Sequence, residues 1–213
     1  MRIKSANSLS QAFGVSRETL ERLITYEALL QRWQKTINLV APATLPDAWH
    51  RHFADSAQIS ALVPEAATTL VDIGSGAGFP GMVLAIMLAE RGNIRVTLIE
   101  SDNRKSAFLR EVARQVRVAV DIRIGRIENP ATRVNLPAAE VVTSRALAPL
   151  PRLFGLAHPL MAAGSLGLFP KGREAAAEIS QARETWSFEA ELTPSVTDPD
   201  ARIVQVHDLR PSA

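Results

Sequence analysis

No cysteine occurs in the 213 residues. A thiolate nucleophile, a cysteine-bound zinc and an iron–sulfur cluster are thereby excluded. Long apolar runs are missing as well: no stretch of about 18 apolar residues is available to span a bilayer. The opening Met1-Arg2-Ile3-Lys4-Ser5-Ala6-Asn7 lacks the apolar centre of a secretory signal. A soluble chain in the cytoplasm is expected, with no membrane partner. Histidine is scarce, and its four copies are poorly placed for a metal. His50 and His52 are two apart and face different sides of a helix, while His158 and His207 stand alone, so no metal site is expected. Excess charge of one sign is lacking too, because the formal net charge is only +2. No protein-wide basic field exists to demand a polyanionic partner. All but four of the 24 basic residues are nevertheless arginine, which grips phosphate bidentately and stacks on bases. An RNA partner is permitted without being required.

What the chain does have is a hydrophobic content of 46%, ample for one large domain with an appendage. Ser16 is a suitable N-cap, and Leu20, Leu23, Ile24, Leu30, Trp33 and Ile37 recur at helical spacing, which predicts a long helix to about Leu39. Ala41-Pro42-Ala43 breaks it, and a second helix is predicted from about Pro46 to Leu62, where Pro64 ends it. Residues 1–66 thus form a helical cap and residues 67–213 the main domain. Arg51 and Asp55 lie four apart in the second helix, within ion-pairing reach, on a face that serves either packing or substrate.

From Thr68 onward short β-rich runs alternate with helical segments, the pattern of a mainly parallel sheet with helices on both faces. Strands are predicted at about Thr69 to Ile73, Arg95 to Glu100, Val120 to Ile124, Glu140 to Thr143 and Ser165 to Phe169. Helices are predicted from Pro80 to Glu90, after Ser101-Asp102-Asn103, from Pro149 to Met161 and from Glu174 to Trp186. A terminal hairpin, Glu189 to Leu192 and Ala201 to Val206, brings the sheet to seven strands.

The first strand runs into Asp72-Ile73-Gly74-Ser75-Gly76-Ala77-Gly78-Phe79-Pro80-Gly81, a strand, glycine loop and helix start. A side chain at Gly74 or Gly76 would fill the space a ligand needs against bare backbone. Two ligands compete. Gly76 to Gly81 matches the G-x-G-x-x-G string of dinucleotide folds, with Glu100 about 20 residues on. In the other frame, Asp72-x-Gly74-x-Gly76-x-Gly78, the acid would repel a pyrophosphate but suits the cationic methionine end of S-adenosylmethionine. Electrostatics favour S-adenosylmethionine.

In an open α/β sheet the ligand lies beyond the carboxyl ends of the strands, so residues just after each strand meet on one rim. Glu100 can accept from both ribose hydroxyls, with helix capping as its competing role. Ile127 and Glu128 are placed for the adenine edge or for a plain surface loop. Arg145 faces the transfer point, able to hold a carboxylate or a phosphate or to sit in an internal ion pair. Lys171 is a point charge suited to phosphate, and Arg51, Arg104, Lys105 and Arg126 are further candidates for RNA.

The assembled residues resemble the bacterial 16S rRNA guanine-N7 methyltransferase family, RsmG, also known as GidB. The resemblance covers nearly the whole chain. It is carried by Trp33 with Asn38-Leu39, by Arg51-His52-Phe53-Ala54-Asp55-Ser56, and by Asp72 to Gly81 with its Gly-Phe-Pro-Gly ending. It continues through Glu100-Ser101 with Lys105 and Phe108-Leu109, Gly125-Arg126-Ile127-Glu128, Ser144-Arg145-Ala146 and Lys171-Gly172. It implies a Rossmann-like class I methyltransferase domain, with Gly74, Phe79, Ile127, Glu128 and Arg145 contacting S-adenosylmethionine. The implied substrate is a guanine in the decoding-region loop of 16S rRNA, in the small ribosomal subunit or its assembly intermediate, and a monomer is the default. One departure is Gln34, where the family usually has Asn after the tryptophan.

The residues limit the chemistry independently. Methylation of pyrimidine C5 needs a thiolate, which is absent. Methylation of an exocyclic amine usually relies on an Asn/Asp-Pro-Pro-aromatic loop after the fourth strand, where this chain has Thr143-Ser144-Arg145-Ala146-Leu147. Guanine N7 has a free in-plane lone pair and loses no proton, so positioning and exclusion of water suffice, with no catalytic acid or base. Rival readings are a nicotinamide-dependent oxidoreductase, an inactive rRNA-binding assembly factor and a small-molecule methyltransferase. Against the first, the sole tyrosine, Tyr26, has no lysine four residues on.

Overall fold

Leu70 and Val71 are adjacent in the first strand yet belong to different hydrophobic cores. Successive side chains in a strand point to opposite faces, and both faces of this sheet are covered. The computed structural model describes residues 2–212. Its strands are β1 (Thr69–Ile73), β2 (Arg95–Glu100), β3 (Val120–Ile124), β4 (Ala139–Thr143), β5 (Met161–Lys171), β6 (Trp186–Pro194) and β7 (Arg202–Pro211). They form one seven-stranded sheet in the order β3-β2-β1-β4-β5-β7-β6. The first five pair in parallel, while β7 runs antiparallel to both β5 and β6. Chain progress reverses between β1 and β4, so the crevice of the sheet opens where Ile73 and Thr143 end their strands.

One core lies under α4 (Gly81–Leu88) and α5 (Asn103–Val116), where Met82, Leu84, Phe108 and Leu109 meet Leu70, Leu98 and Val141 of the sheet. The N-terminal segment joins this core through Leu9, Leu23, Tyr26 and Leu30, so cap and sheet share one apolar interior. The other core lies under α7 (Leu150–Ala157) and α8 (Ala175–Ala182) and holds Val71, Ile73, Phe154, Phe169 and Val206. A short α6 (Pro130–Arg133) precedes β4.

Strand positions follow the alternation of the sequence closely, but the N-terminal region departs from it. Helix α1 (Ala6–Phe13), which no long apolar periodicity announces, is held by a Ser5–Ser8 capping box and closed by Gly14 in the left-handed conformation at φ 62°. Helix α2 (Arg17–Gln34) begins at the expected Ser16 cap but ends five residues before Leu39. Its last side chain is the reason: Gln34 Oε1 accepts from Leu39 N and Val40 N at 3.0 Å each, and Nε2 donates to the Val40 carbonyl at 2.8 Å. The departure from Asn at this position is thus absorbed locally.

The expected single helix from Pro46 to Leu62 is instead a series: a 3₁₀ turn Pro42–Asp47, a π-turn Trp49–Ala54, one α turn Asp55–Ala57 (α3) and a second 3₁₀ turn Gln58–Leu62. Pro46 cannot donate within a regular helix, and the wider π winding takes Arg51 and Asp55 out of vertical register. No helix among the described residues is long and apolar enough to cross a membrane.

Candidate active site

The loop after β1 is shaped by three glycines with positive φ, at 67° for Gly74, 56° for Gly76 and 91° for Gly78. Backbone bonds fix it to the sheet: Gly74 N and Ser75 N both donate to Ile99 O, at 2.9 and 3.0 Å. Gly78 N closes the turn onto Ser75 O at 2.6 Å. The carboxylate of Glu100 joins two loops, accepting from Gly76 N at 2.7 Å and from Asp102 N at 2.8 Å. Glu100 is therefore both a brace for the glycine loop and part of the next helix entry.

Asp72 sits beneath this loop. It is completely buried, its Oδ2 accepts from Gly81 N at 3.3 Å, and Oδ1 has no partner among the described residues. Burial pushes its pKa up to about 7, against smaller opposing effects of hydrogen bonds from Ser75 and Gly81. The acid thus acts first on the loop and the helix start, and it does not form the wall of either cleft at the rim.

One cleft, of about 250 Å³, lies over the ends of β1, β2 and β3. Ile73, Ile99, Ile127 and Leu156 give it apolar walls, with Gly74, Arg126 and Glu128 along its edge. Glu128 also pairs at 3.7 Å with Arg152, a residue that no motif in the sequence marks. Apolar walls with one acid suit a purine nucleoside, and a Cβ placed on Gly76 would meet nothing nearer than Gly74 O at 3.8 Å, so the loop backbone is open to close approach. The residues present fit S-adenosylmethionine. When bound, that cofactor supplies an electrophilic sulfonium methyl; Gly74, Ile127 and Glu128 are the groups that would hold its nucleoside.

A second cleft, of about 650 Å³, opens on the other side of the loop after β4 and is bordered by Arg51, Asp55, Gln58, Arg145 and Arg202. Leu147 lines both clefts, and its Cδ1 would lie 2.8 Å from a Cβ on Gly74. Ser144 Oγ ties this loop to β1 by donating to Ile73 O at 2.8 Å.

Arg145 is the centre of a polar network. Its Nη1 donates to Arg51 O at 3.0 Å and to Asp55 Oδ2 at 3.3 Å, while Nη2 lies 3.1 Å from His52 Nδ1. Arginine only donates, so His52 Nδ1 accepts and the imidazole proton sits on Nε2, directed at Thr44 Oγ1 at 2.8 Å. His52 stays neutral: burial, then the nearby Arg145 and Arg51 charges, lower its pKa to about 3. Asp55 Oδ1 accepts from Gln58 at 3.0 Å and from Thr197 at 2.8 Å, which brings in the turn between β6 and β7. The partner of Asp55 is thus Arg145 and not Arg51, correcting the pairing expected from helical spacing.

Phe79 is likewise inside, 4% exposed, stacked on Tyr26 and His52 and lying 5.2 Å under the Arg145 guanidinium. It supports the site without lining either cleft. The other correction concerns Lys171. Its side chain is only 9% exposed and is held by Glu178 at 2.8 Å and the Ala148 carbonyl at 2.7 Å. A lysine paired and bonded this way braces the loop after β4 from its place on the lining of the larger cleft. Arg104 and Arg126, by contrast, are exposed on the rim, with Lys105 half-buried between helix and solvent.

A mainly parallel sheet with this order, a glycine loop at its switch point and a nucleoside-sized cleft beside it define a class I S-adenosylmethionine-dependent methyltransferase. The O-methyltransferase from Bacillus cereus, solved in complex with SAH, superposes with a TM-score of 0.60 at 16% identity over 95% of this chain and 96% of that one. The Methanococcus jannaschii fibrillarin pre-rRNA processing protein does so at 0.56 and 14%, over 72% and 75%. At that distance the likeness shows the fold. The family is shown by sequence: the GidB model, rRNA small subunit methyltransferase G, matches residues 19–204, and the chain belongs to this family. Proteins named ribosomal RNA small subunit methyltransferase G from Parvibaculum lavamentivorans and Rhodospirillum centenum are 49% and 50% identical to it. Each alignment covers 97% of this chain and 91% or 92% of the relative.

Proposed function

We propose that this protein transfers the methyl group of S-adenosylmethionine to N7 of a guanine in the decoding-region loop of 16S rRNA, acting in the cytoplasm as a monomer on the small ribosomal subunit or its assembly intermediate. Residues 1–66 serve as a cap on the methyltransferase domain of residues 67–213. Gly74, Ile127 and Glu128 hold the cofactor nucleoside, with Glu100 facing the ribose and Asp72 setting the loop; the target base enters the larger cleft beside Arg145.

The observation that carries this reading is the loop Ser144 to Pro149 between the two clefts. The two acceptors packed against Arg145 are already engaged: both ring nitrogens of His52 are bonded, and both Asp55 oxygens are taken. A site so arranged can orient a nucleophile, with His52 and Asp55 held as hydrogen-bond partners of Arg145 and not left free to act as bases. Guanine N7 needs none, since its lone pair attacks in line and the ring nitrogen bears no hydrogen. Arginine-rich surroundings then stabilise the approach of the nucleic acid and not the chemical step.

The test is label transfer from S-adenosylmethionine to intact small subunits and to deproteinised rRNA, followed by mapping of the modified base. Label on a single guanine N7, with kcat independent of pH between about 6 and 9, is the expected result. Label on an exocyclic amine, or a folded rim variant that binds both substrates yet has no turnover, would show that a general base exists.

A further inference from the structure

Tyr26 belongs to α2, in the cap, 51 residues before the atom it bonds. Its ring is completely buried, edge-on to Phe53 at 5.1 Å and stacked on Phe79 at 5.4 Å with 13° between the planes. The hydroxyl donates to the carbonyl of Ala77, in the middle of the glycine loop. Among the described residues, the other bonds that hold this loop come from the loop itself, from the ends of β1 and β2 or from the first turn of α4. Tyr26 is thus the brace that reaches the loop from the opposite side, out of the cap. The fit is close: a Cβ on Gly78 would stand 2.5 Å from the Tyr26 hydroxyl oxygen.

We propose that Tyr26 is a positioning residue for the cofactor, which fixes the glycine loop in its binding conformation from the N-terminal cap. A loop with three residues at positive φ has many alternative conformations when free, and a ligand that must order it binds more weakly. One buried hydroxyl, aimed at the loop's central carbonyl, removes much of that freedom before the ligand arrives. The stack of Tyr26 on Phe79 extends the same restraint to the end of the loop, and from Phe79 to Arg145 above it. The cap is then part of the cofactor site without touching the cofactor. This rests on the glycine loop being the cofactor cradle, and not on which base receives the methyl group.

The measurement is calorimetric binding of S-adenosylhomocysteine to the full-length protein without RNA, with steady-state kinetics beside it. Tyr26→Phe keeps the ring and both stacks but loses the hydroxyl. It is expected to weaken binding about tenfold, or about 1.4 kcal/mol, and to raise KM for S-adenosylmethionine similarly. Its kcat and its KM for RNA should stay within about twofold. Leu29→Ala, a truncation of a buried apolar side chain on the same helix, provides the comparison and should leave cofactor affinity within about twofold. Unchanged affinity in Tyr26→Phe, or equal weakening in Leu29→Ala, would overturn the assignment. Weakened cofactor binding in Tyr26→Phe together with methylation at some other atom would leave it standing and sink only the N7 reading.

Discussion

The guanidinium of Arg145 lies 5.2 Å from the centre of the Phe79 ring while its Nη1 reaches Asp55 at 3.3 Å. A planar fork can stack and hydrogen-bond at once, which a lysine ammonium cannot. The pair joins three parts of the chain: the π-turn of the cap, the end of the glycine loop and the loop after β4.

Arg145→Lys is therefore not a conservative change here. It retains the charge but loses the stack and two of the three partners of the fork. A fall in kcat/KM of about 10- to 100-fold, equivalent to about 1.4 to 2.8 kcal/mol of transition-state stabilisation, is expected in a steady-state methylation assay. Asp55→Asn should cost about 1 to 3 kcal/mol in urea unfolding, because it leaves a largely buried guanidinium without its counter-charge. Wild-type activity in Arg145→Lys would show that the fork has no part in the site.

Two buried groups give stability opposite dependences on pH. His52 has a folded pKa of about 3 against an ordinary 6.5, so between those values the unfolded chain binds the extra proton. Its contribution is full above about 6.5 and is lost as pH falls. Asp72 has a folded pKa of about 7 against an ordinary 3.8, so the folded chain keeps the proton longer. Its contribution is full below about 3.8 and is lost as pH rises to about 7. Relative to wild type, Asp72→Asn should gain stability between pH 4 and 7, and His52→Gln should gain it as pH falls from about 6.5. Urea midpoints of the cofactor-free protein across that range decide the matter; parallel curves for all three proteins would refute both shifts.

The rim arginines and Lys171 should separate in salt titrations. Replacing Arg104 or Arg126 with Ala is expected to weaken RNA binding and to reduce the slope of log K against log salt by about 0.7 to 0.9 for each phosphate that is no longer neutralised. Lys171→Ala should leave that slope alone and instead destabilise the fold by about 3 to 5 kcal/mol, since Glu178 would lose its counter-charge in a mostly buried position and keep only the Leu150 N–H. A reduced slope in folded Lys171→Ala would restore it as a phosphate ligand.

The strands, the glycine loop and the seven-stranded α/β architecture were legible in the residues, because each rests on local chemistry. Short β-branched runs set between helical segments favour strands, and Gly74, Gly76 and Gly78 take backbone angles other residues avoid. The rim also followed, since parallel strands carry their ends to one side. Which side chains face one another there did not follow. Helical spacing offered Arg51 to Asp55, but the π-turn turned it away and Arg145, 90 residues on, took its place. Lys171 looked like a free cation until α8 brought Glu178 against it, and Tyr26 carried no motif at all until α2 packed across the loop. Backbone conformation is set by neighbours along the chain, whereas the partner of a buried polar group is whichever distant segment the closed core leaves within bonding distance.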